Sequence, residues 1–480
     1  MKLSTKIAYN TIIQFISKFL STIIGLVIIA IITRYLGKFG FGEYTAAITF
    51  LSIFGIIADL GLTLVTVQLI SQPGADKDKI LGNLLALRLV SAVLLLGLAP
   101  LVALFFPYSS TVKMAIFVAS FSFLFIALNQ IMVGLFQKEL RMDKVSIAEV
   151  ANRIMLLVGV IIIVKTNTGL IGIMFATVLS SLLSFFLHYI FSLPFARIRL
   201  RFDWSYWKEI MHLSWPLALT IALNLIYLKT DTLLLSVIER PSEIGIIAEV
   251  GIYGAAYKVI DVLVTIPFMF AGIILPLLTA KWAENDQENF KQILQKSFNV
   301  MIILAIPMIV GTQIFAEDIM TLVAGQEFSA SGPILKYLIF AAGAIFFGNM
   351  FAHAVIAINK QKKIIGAYLF TAITSLTAYV ILIPKFSYFA AAWITIYSEV
   401  FIALASFYIV WKFTKFIPNF LVMLKSLLAS TAMLGLIYIL EYQGIFNLIY
   451  LISSAFVSYF VFLFLFRGIS KEDILSLINK

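Results

Sequence analysis

Ten ionisable side chains interrupt long apolar runs: Lys18, Asp59, Arg88, Glu149, Arg153, Lys229, Asp231, Lys258, Asp261 and Glu399. An ionised group at mid-bilayer depth costs about 2.5–3.5 kcal/mol on insertion scales, so residues of this kind line a wet cavity, pair with one another or mark an ion path. Lys18, Arg88 and Arg153 each fall seven or eight residues into a run that begins on the same side, which puts three cations in one layer. Forked guanidinium donors and an ammonium point charge together suit a multivalent anion such as pyrophosphate. With Lys229 and Lys258 they form the candidate substrate-binding set. The competing reading is that these long side chains snorkel to headgroups about 12 Å away. The acids Asp59, Asp231, Asp261 and Glu399 are candidates for binding Na+ or carrying a proton, or else for neutralising a neighbouring cation. Lys229 stands two residues from Asp231 and Lys258 three from Asp261, while Glu149 and Arg153 share a helical face four residues apart.

What is missing narrows the chemistry further. The chain has no cysteine, and its three histidines, His188, His212 and His353, are isolated, so neither thiol catalysis nor a metal site is expected. There is no Gly-x-x-x-x-Gly-Lys-Ser/Thr, His-Glu-x-x-His or Gly-x-Ser-x-Gly segment. No catalytic residue, metal or cofactor is therefore assigned, and the chain is read as a protein other than an enzyme. Membrane glycosyl-transfer enzymes need an extended outer loop for their catalytic groups, and no connector here is long enough to supply one.

The elements that must position these residues follow from composition. Of 480 residues 62% are apolar and 12% charged, against about 45–50% and about 25% in soluble domains, so lipid solvates most of the chain. Fourteen apolar stretches read as transmembrane helices, near 10–35, 44–70, 80–106, 112–136, 146–165, 169–193, 210–238, 250–280, 292–315, 334–358, 363–383, 386–410, 419–440 and 446–466. The first is too long for a signal-peptide core and is retained as a span. A formal charge of +11 would suggest nucleic acid in a soluble protein, but here the basic residues sit in short connectors and no nucleic-acid partner is expected. With the N-terminus inside, 22 of the 35 Lys and Arg fall on the cytoplasmic side and six outside, the remainder lying in or at the edge of spans. That asymmetry predicts a multi-pass protein of the plasma membrane with both termini cytoplasmic.

A repeat runs through the spans. Gly42-x-Tyr44 recurs as Gly251-x-Tyr253 at an offset of 209, Pro100 as Pro307 at 207, and Gln137-Lys138 as Asn359-Lys360 at 222. The jump is expected to reflect a longer outer connector at about 316–333. Six spans per copy is an even number, so the repeats are parallel. The expected fold is an all-α polytopic membrane protein of 14 transmembrane helices in two pseudo-symmetric six-helix bundles plus two C-terminal helices. Its regions are 1–195, a cytoplasmic linker at 196–209, 210–411, and 412–480.

Arg34-Tyr35-Leu36-Gly37-x-x-Gly40-x-Gly42-x-Tyr44, Asp59-Leu60-Gly61-Leu62 and Gly134-Leu135-Phe136-Gln137 through Arg141 resemble the polysaccharide-export flippases of the multidrug/oligosaccharidyl-lipid/polysaccharide (MOP) exporter superfamily. Length, span number and repeat extend the resemblance over the whole chain. Members of that family often carry an Arg shortly after the Asp-Leu-Gly-Leu segment, where this chain has Val67 and Gln68. The resemblance implies a carrier moving a polyprenyl-pyrophosphate-linked oligosaccharide from the cytoplasmic to the outer leaflet, with polysaccharide polymerase and glycosyltransferases as partners besides membrane lipids. The cationic layer, the two bundles and the lack of a phosphate loop favour alternating access driven by an H+ or Na+ gradient or by substrate supply. The alternative within the superfamily is an ion-coupled multidrug extruder, for which cationic drugs would favour an acidic cavity. A membrane glycosyl-transfer enzyme is a more distant alternative.

Overall fold

Apolar runs of this length satisfy their own backbone hydrogen bonds in lipid only as helices. The computed structural model describes residues 3–72 and 74–469, and the side chains among them except those of 3–9, 11, 64, 216, 217 and 219–228. The α-helices are α1 (Leu3–Asp59), α2 (Leu62–Ile70), α3 (Lys77–Ala103), α4 (Ser110–Lys138), α5 (Met142–Thr166), α6 (Gly169–Ser192), α7 (Trp204–Val237), α8 (Ile246–Ala283), α9 (Gln287–Ala324), α10 (Ser331–Ala357), α11 (Gln361–Thr414), α12 (Leu421–Tyr442) and α13 (Leu448–Leu465). No strand occurs among the described residues.

At about 1.5 Å per residue α1 and α11 are far longer than the roughly 30 Å hydrocarbon core, so neither is one span. α1 is broken at Gly37 (φ 64°, ψ 179°) and α11 at Ser387 (φ 51°, ψ −133°). Among the described residues eleven helices are long and apolar enough to cross a membrane. Two of these, α1 and α11, each supply a pair of spans, and α7 completes the fourteen.

One span is not the continuous helix the sequence suggests. The second, expected at 44–70, breaks where Leu60 (φ 49°) and Gly61 (φ 72°) turn left-handed, leaving α2 as its separate continuation. The Asp-Leu-Gly-Leu segment is therefore a helix break.

Backbone geometry repeats with the sequence. Left-handed residues recur as Gly37 and Gly245, Gly74 and Asn285, Leu140 and Asn359, and Asn167 and Ser387, with the offset rising from about 210 to about 220 between the second and third pairs. The extra residues do not lengthen a connector, as the sequence suggests. They extend α9, which has 38 residues where its counterpart α3 has 27. Side-chain packing repeats too: Lys144 lies over the Phe191 ring at 4.9 Å and Lys363 over Phe413 at 4.7 Å, each joining the start of a fifth repeat helix to the end of the sixth.

Packing divides the chain into two compact units, one of Met1–Gly254, Val323–Glu327 and Leu376–Ala391, the other of Ala255–Leu322, Phe328–Ser375 and Ala392–Lys480. The repeats expected at 1–195 and 210–411 describe chain topology, while the compact units describe contacts. In the first unit, Leu62, Leu84, Met132, Phe136 and Trp207 share one core. In the second, Phe290, Phe298, Met350 and Phe351 form another, and α12 and α13 pack on Phe315 of α9 through Met433, Ile437 and Tyr459.

The side assignment rests on charge asymmetry and has a direct test in this cysteine-free chain. Single cysteines at Ser109 and Ser329 are expected to react with an impermeant maleimide from outside, and one at Ser205 only after permeabilisation. The terminal positions Ser4 and Ser470 serve the same purpose, although Ser470 and the tail beyond it lie outside the described residues. Reaction of the Ser205 cysteine from outside would overturn the fourteen-span order.

Candidate functional site

The Arg34-to-Tyr44 segment lies at the ends of the spans that charge asymmetry assigns to the outside, and the first compact unit gives most of its residues a structural contact. Arg34 Nη1 donates to the Ala30 carbonyl at 3.0 Å and to that of Val323 at 2.9 Å. The Tyr35 hydroxyl donates to Asn167 Oδ1 at 3.1 Å and accepts from Gly169 N at 2.8 Å, tying span one to the α5–α6 turn. Gly37 supplies the left-handed turn between spans one and two. The Lys38 amide beside it donates to the Glu327 carboxylate at 3.3 Å. Phe41 is fully buried and stacks on Tyr44 at 5.6 Å.

Gly42 and Gly251 mark a symmetric crossing. A methyl group added at Gly42 would run into the Ile247 carbonyl oxygen, and one added at Gly251 into the Lys38 carbonyl oxygen and, at 2.9 Å, the Gly42 amide. At Gly254 it would meet Thr45 Cγ2 at 2.7 Å. Lys38 and Ile247, Gly42 and Gly251, and Thr45 and Gly254 are all related by the repeat offset of 209. Contacts that exchange with the repeat in this way are the signature of a two-fold relation, here between two segments of one chain. Backbones approach this closely only where no Cβ intervenes.

A buried charge cluster holds the same region. Arg240 and Glu249 are both buried, with Arg240 Nη2 2.6 Å from Glu249 Oε2. Arg240 Nη1 donates to the Leu235 and Ile238 carbonyls at 2.8 and 2.9 Å. Ser242 donates to Glu249 Oε1 at 2.9 Å, and Ser387, at the α11 break, donates to Oε2 at 2.5 Å. Ser109 donates to buried Glu43 at 2.7 Å, and Tyr108 and Ser236 share a hydrogen bond of 2.8 Å. In the sequence Lys38 and Arg240 are two of the six basic residues on the outer side, and Arg34 opens the first resemblance motif. The sole sequence signal for this cluster was Glu249 standing two residues before the repeated Gly251.

The expected substrate cations are placed differently from one another. Arg88 is 2% exposed and bound on all sides. Its Nη2 lies 2.5 Å from Asp59 Oδ1, Nη1 donates to the Asp59 carbonyl at 2.7 Å, Nε to the Ala127 carbonyl at 3.1 Å, and Nη2 to Thr63 at 3.3 Å. Thr63 in turn donates to Asp59 at 2.6 Å. Arg88 thus takes the carbonyl that the break in span two leaves without a helical partner. Lys18 and Arg153, by contrast, are exposed. Arg153 sits over Gly25 of α1, 4.0 Å from where a Cβ would be. The neighbouring helices are joined below it, Ser17 donating to Ser146 at 2.8 Å.

The acids also separate. Asp59 is held by Arg88, and Asp231, 1% exposed, accepts from the Tyr253 hydroxyl at 2.7 Å and from the Thr232 amide at 2.5 Å. Tyr253, a repeated residue, is its hydrogen-bonding partner, where the sequence suggested Lys229, which is half-buried. Lys258 and Asp261 pair at 3.3 Å, each about a third exposed. Glu399 is buried in the second unit and makes no hydrogen bond or ion pair among the described residues. No cluster of three His, Cys, Asp or Glu suited to a metal occurs among them either.

The second unit also contains an apolar cavity of about 460 Å³ between α8, α9, α12 and α13, lined by Val259, Pro307, Phe315, Met433, Phe456 and Tyr459 among others.

Comparison with known proteins is consistent with this architecture. The family described as Polysaccharide biosynthesis protein matches residues 7–282, more than half the chain. Over 150 residues the chain is 26% identical to the probable low-salt glycan biosynthesis flippase Agl15 of Haloferax volcanii, a match covering 30% of this chain and 31% of that protein. Among solved structures, the lipid II flippase MurJ in an inward closed conformation superposes with a TM-score of 0.75 at 17% identity, over 93% of this chain and 97% of MurJ. An inward-facing multidrug resistance MATE transporter of the MOP superfamily superposes with a TM-score of 0.65 at 15% identity, over 84% and 98%.

Proposed function

The chain belongs to the family of polysaccharide biosynthesis proteins, and from that premise we propose that it is a carrier that flips a polyprenyl-pyrophosphate-linked oligosaccharide from the cytoplasmic to the outer leaflet. The observation that carries this reading is the apolar cavity beside α12 and α13. Its lining suits a polyprenyl chain, whereas a glycan would leave its hydroxyls without partners there. Lys18 and Arg153, exposed in the first unit, are the cations suited to the pyrophosphate, with Lys229 and Lys258 as further members of the set. Arg88 acts through Asp59 by holding the break in span two. An extruder of cationic drugs is the weaker reading, because these exposed groups are basic.

The cycle is alternating access, with the Gly42–Gly251 crossing as the seal at the outer ends. Coupling to H+ or Na+ is assigned to Glu399, since an unpaired carboxylate in an apolar interior takes up a proton or a cation. In proteoliposomes Glu399→Gln is expected to remove the dependence of transport on an imposed H+ or Na+ gradient, while Asp261→Asn retains it. A gradient response unchanged in Glu399→Gln would refute that assignment.

Depleting the protein in its host is expected to accumulate lipid-linked oligosaccharide in the inner leaflet, with glycosyltransferases and polymerase acting before and after the flip. Normal export on depletion, with no accumulation, would exclude the function.

A further inference from the structure

The connector between the repeats carries Ala196-Arg197-Ile198-Arg199-Leu200-Arg201-Phe202, three arginines at every second residue with no acid among them. It runs without helix from 196 to 203 and is tied by its backbone to the first turns of α3. The Arg197 amide donates to Asp78 Oδ1 at 2.9 Å, the Arg201 amide to the Gly82 carbonyl at 3.2 Å, and the Asp203 amide to Asn83 Oδ1 at 3.0 Å. Gly82 admits this approach, because a Cβ there would run into the Arg199 carbonyl oxygen. Ala196 and Ile198 are buried in the core beneath.

In an extended chain alternate side chains share one face, about 6.6 Å apart. With Ala196 and Ile198 turned inward, Arg197 and Arg199 project outward, and Arg201 is exposed as well. Leu200, Phe202 and Trp204 are 47%, 66% and 68% exposed. In the same unit Lys77 pairs with Glu139 and Arg141 with Asp143. The side chains of the three connector arginines have neither a carboxylate nor an aromatic ring as partner among the described residues.

We infer that residues 196–204 form a strap that binds the phosphate headgroups of anionic phospholipids in the cytoplasmic leaflet. Guanidinium forks match phosphate oxygens, and exposed aromatic rings settle at the boundary between headgroups and acyl chains. A flexible basic loop would also attract anionic lipid, but this segment is fixed in backbone and in register. It holds its charges in a row along the first turns of α3. The inference is independent of what the protein transports.

The test uses the full-length protein in phosphatidylcholine liposomes containing a minor share of either brominated phosphatidylglycerol or brominated phosphatidylcholine. Quenching at Trp204 is read as the difference between the protein and its Trp204→Phe variant. Each basic side chain near an anionic surface contributes about a five-fold preference, so Trp204 is expected to favour the phosphatidylglycerol quencher by more than five-fold. The preference should survive millimolar inorganic pyrophosphate, which separates a lipid site from a soluble-phosphate site. Arg197→Gln/Arg199→Gln/Arg201→Gln should bring it close to one, and the triple Lys variant should keep most of it. Gly82→Ala should reduce it with every charge in place, because the strap is displaced from α3. Equal quenching by the two lipids in the unmodified protein, or an undiminished preference in the triple Gln variant, would overturn the inference.

Discussion

Gly42→Ala and Gly251→Ala should each lower export by ten-fold or more, with normal amounts of protein in the membrane. A single methyl group at either position falls on a backbone carbonyl oxygen of the partner segment, Ile247 or Lys38, and neither backbone can yield as a side-chain tip would. Overpacking of this kind costs about 1–3 kcal/mol, and 1.4 kcal/mol is a factor of ten in an equilibrium. In the proposed cycle the cost applies only while the outer ends are closed, so it acts on the conformational balance more than on folding. A carrier that must close this seal in every cycle slows in proportion. Gly97→Ala is the control, because a Cβ there meets nothing within 4 Å. In the cysteine-free background, a cysteine at buried Thr45 should react slowly from outside in the parent and faster in Gly251→Ala. Equal labelling and equal export in Gly42→Ala, Gly251→Ala and Gly97→Ala would remove the crossing from the mechanism.

Arg88→Ala should reduce the amount of folded protein, whereas Lys18→Gln and Arg153→Gln should leave it unchanged and reduce export. Removing Arg88 leaves the Asp59 carboxyl without its ion-pair partner beside a helix break, with the Asp59 and Ala127 carbonyls deprived of a donor. Breaking one side of a buried pair typically costs about 3–5 kcal/mol, a large share of the roughly 5–15 kcal/mol by which domains are stable. Adding Asp59→Asn to Arg88→Ala should restore much of the protein, because the stranded charge is then gone. Lys18 and Arg153 are exposed, so under the proposed function their loss removes a charge-assisted hydrogen bond to the substrate worth about 1.5–3 kcal/mol without disturbing packing. The double Lys18→Gln/Arg153→Gln variant should accumulate lipid-linked oligosaccharide in the inner leaflet at normal protein levels. Full export by that double variant would end the role assigned to the two cations, and normal levels of Arg88→Ala would end the structural role assigned to Arg88.

Residue types and their spacing alone determined that lipid solvates this chain, that it crosses fourteen times and that its halves are parallel repeats. The reason is that hydropathy, charge asymmetry and repeated turn residues act locally, through the cost of dehydrating a peptide group or a charge. The same local signals located the glycines of the first connector. They did not reveal that Gly42 meets Gly251, because a contact between segments 209 residues apart exists only once both repeats have folded. Nor did they separate Arg88 from Lys18 and Arg153. All three lie at similar positions along their spans, and only packing decides whether a cation at that depth meets a carboxylate, as Arg88 meets Asp59, or stays exposed. Asp231 had a lysine two residues away and was bonded instead by Tyr253 from the next helix. Residues two apart on a helix point to different sides, so a neighbour in sequence yielded to a neighbour in space.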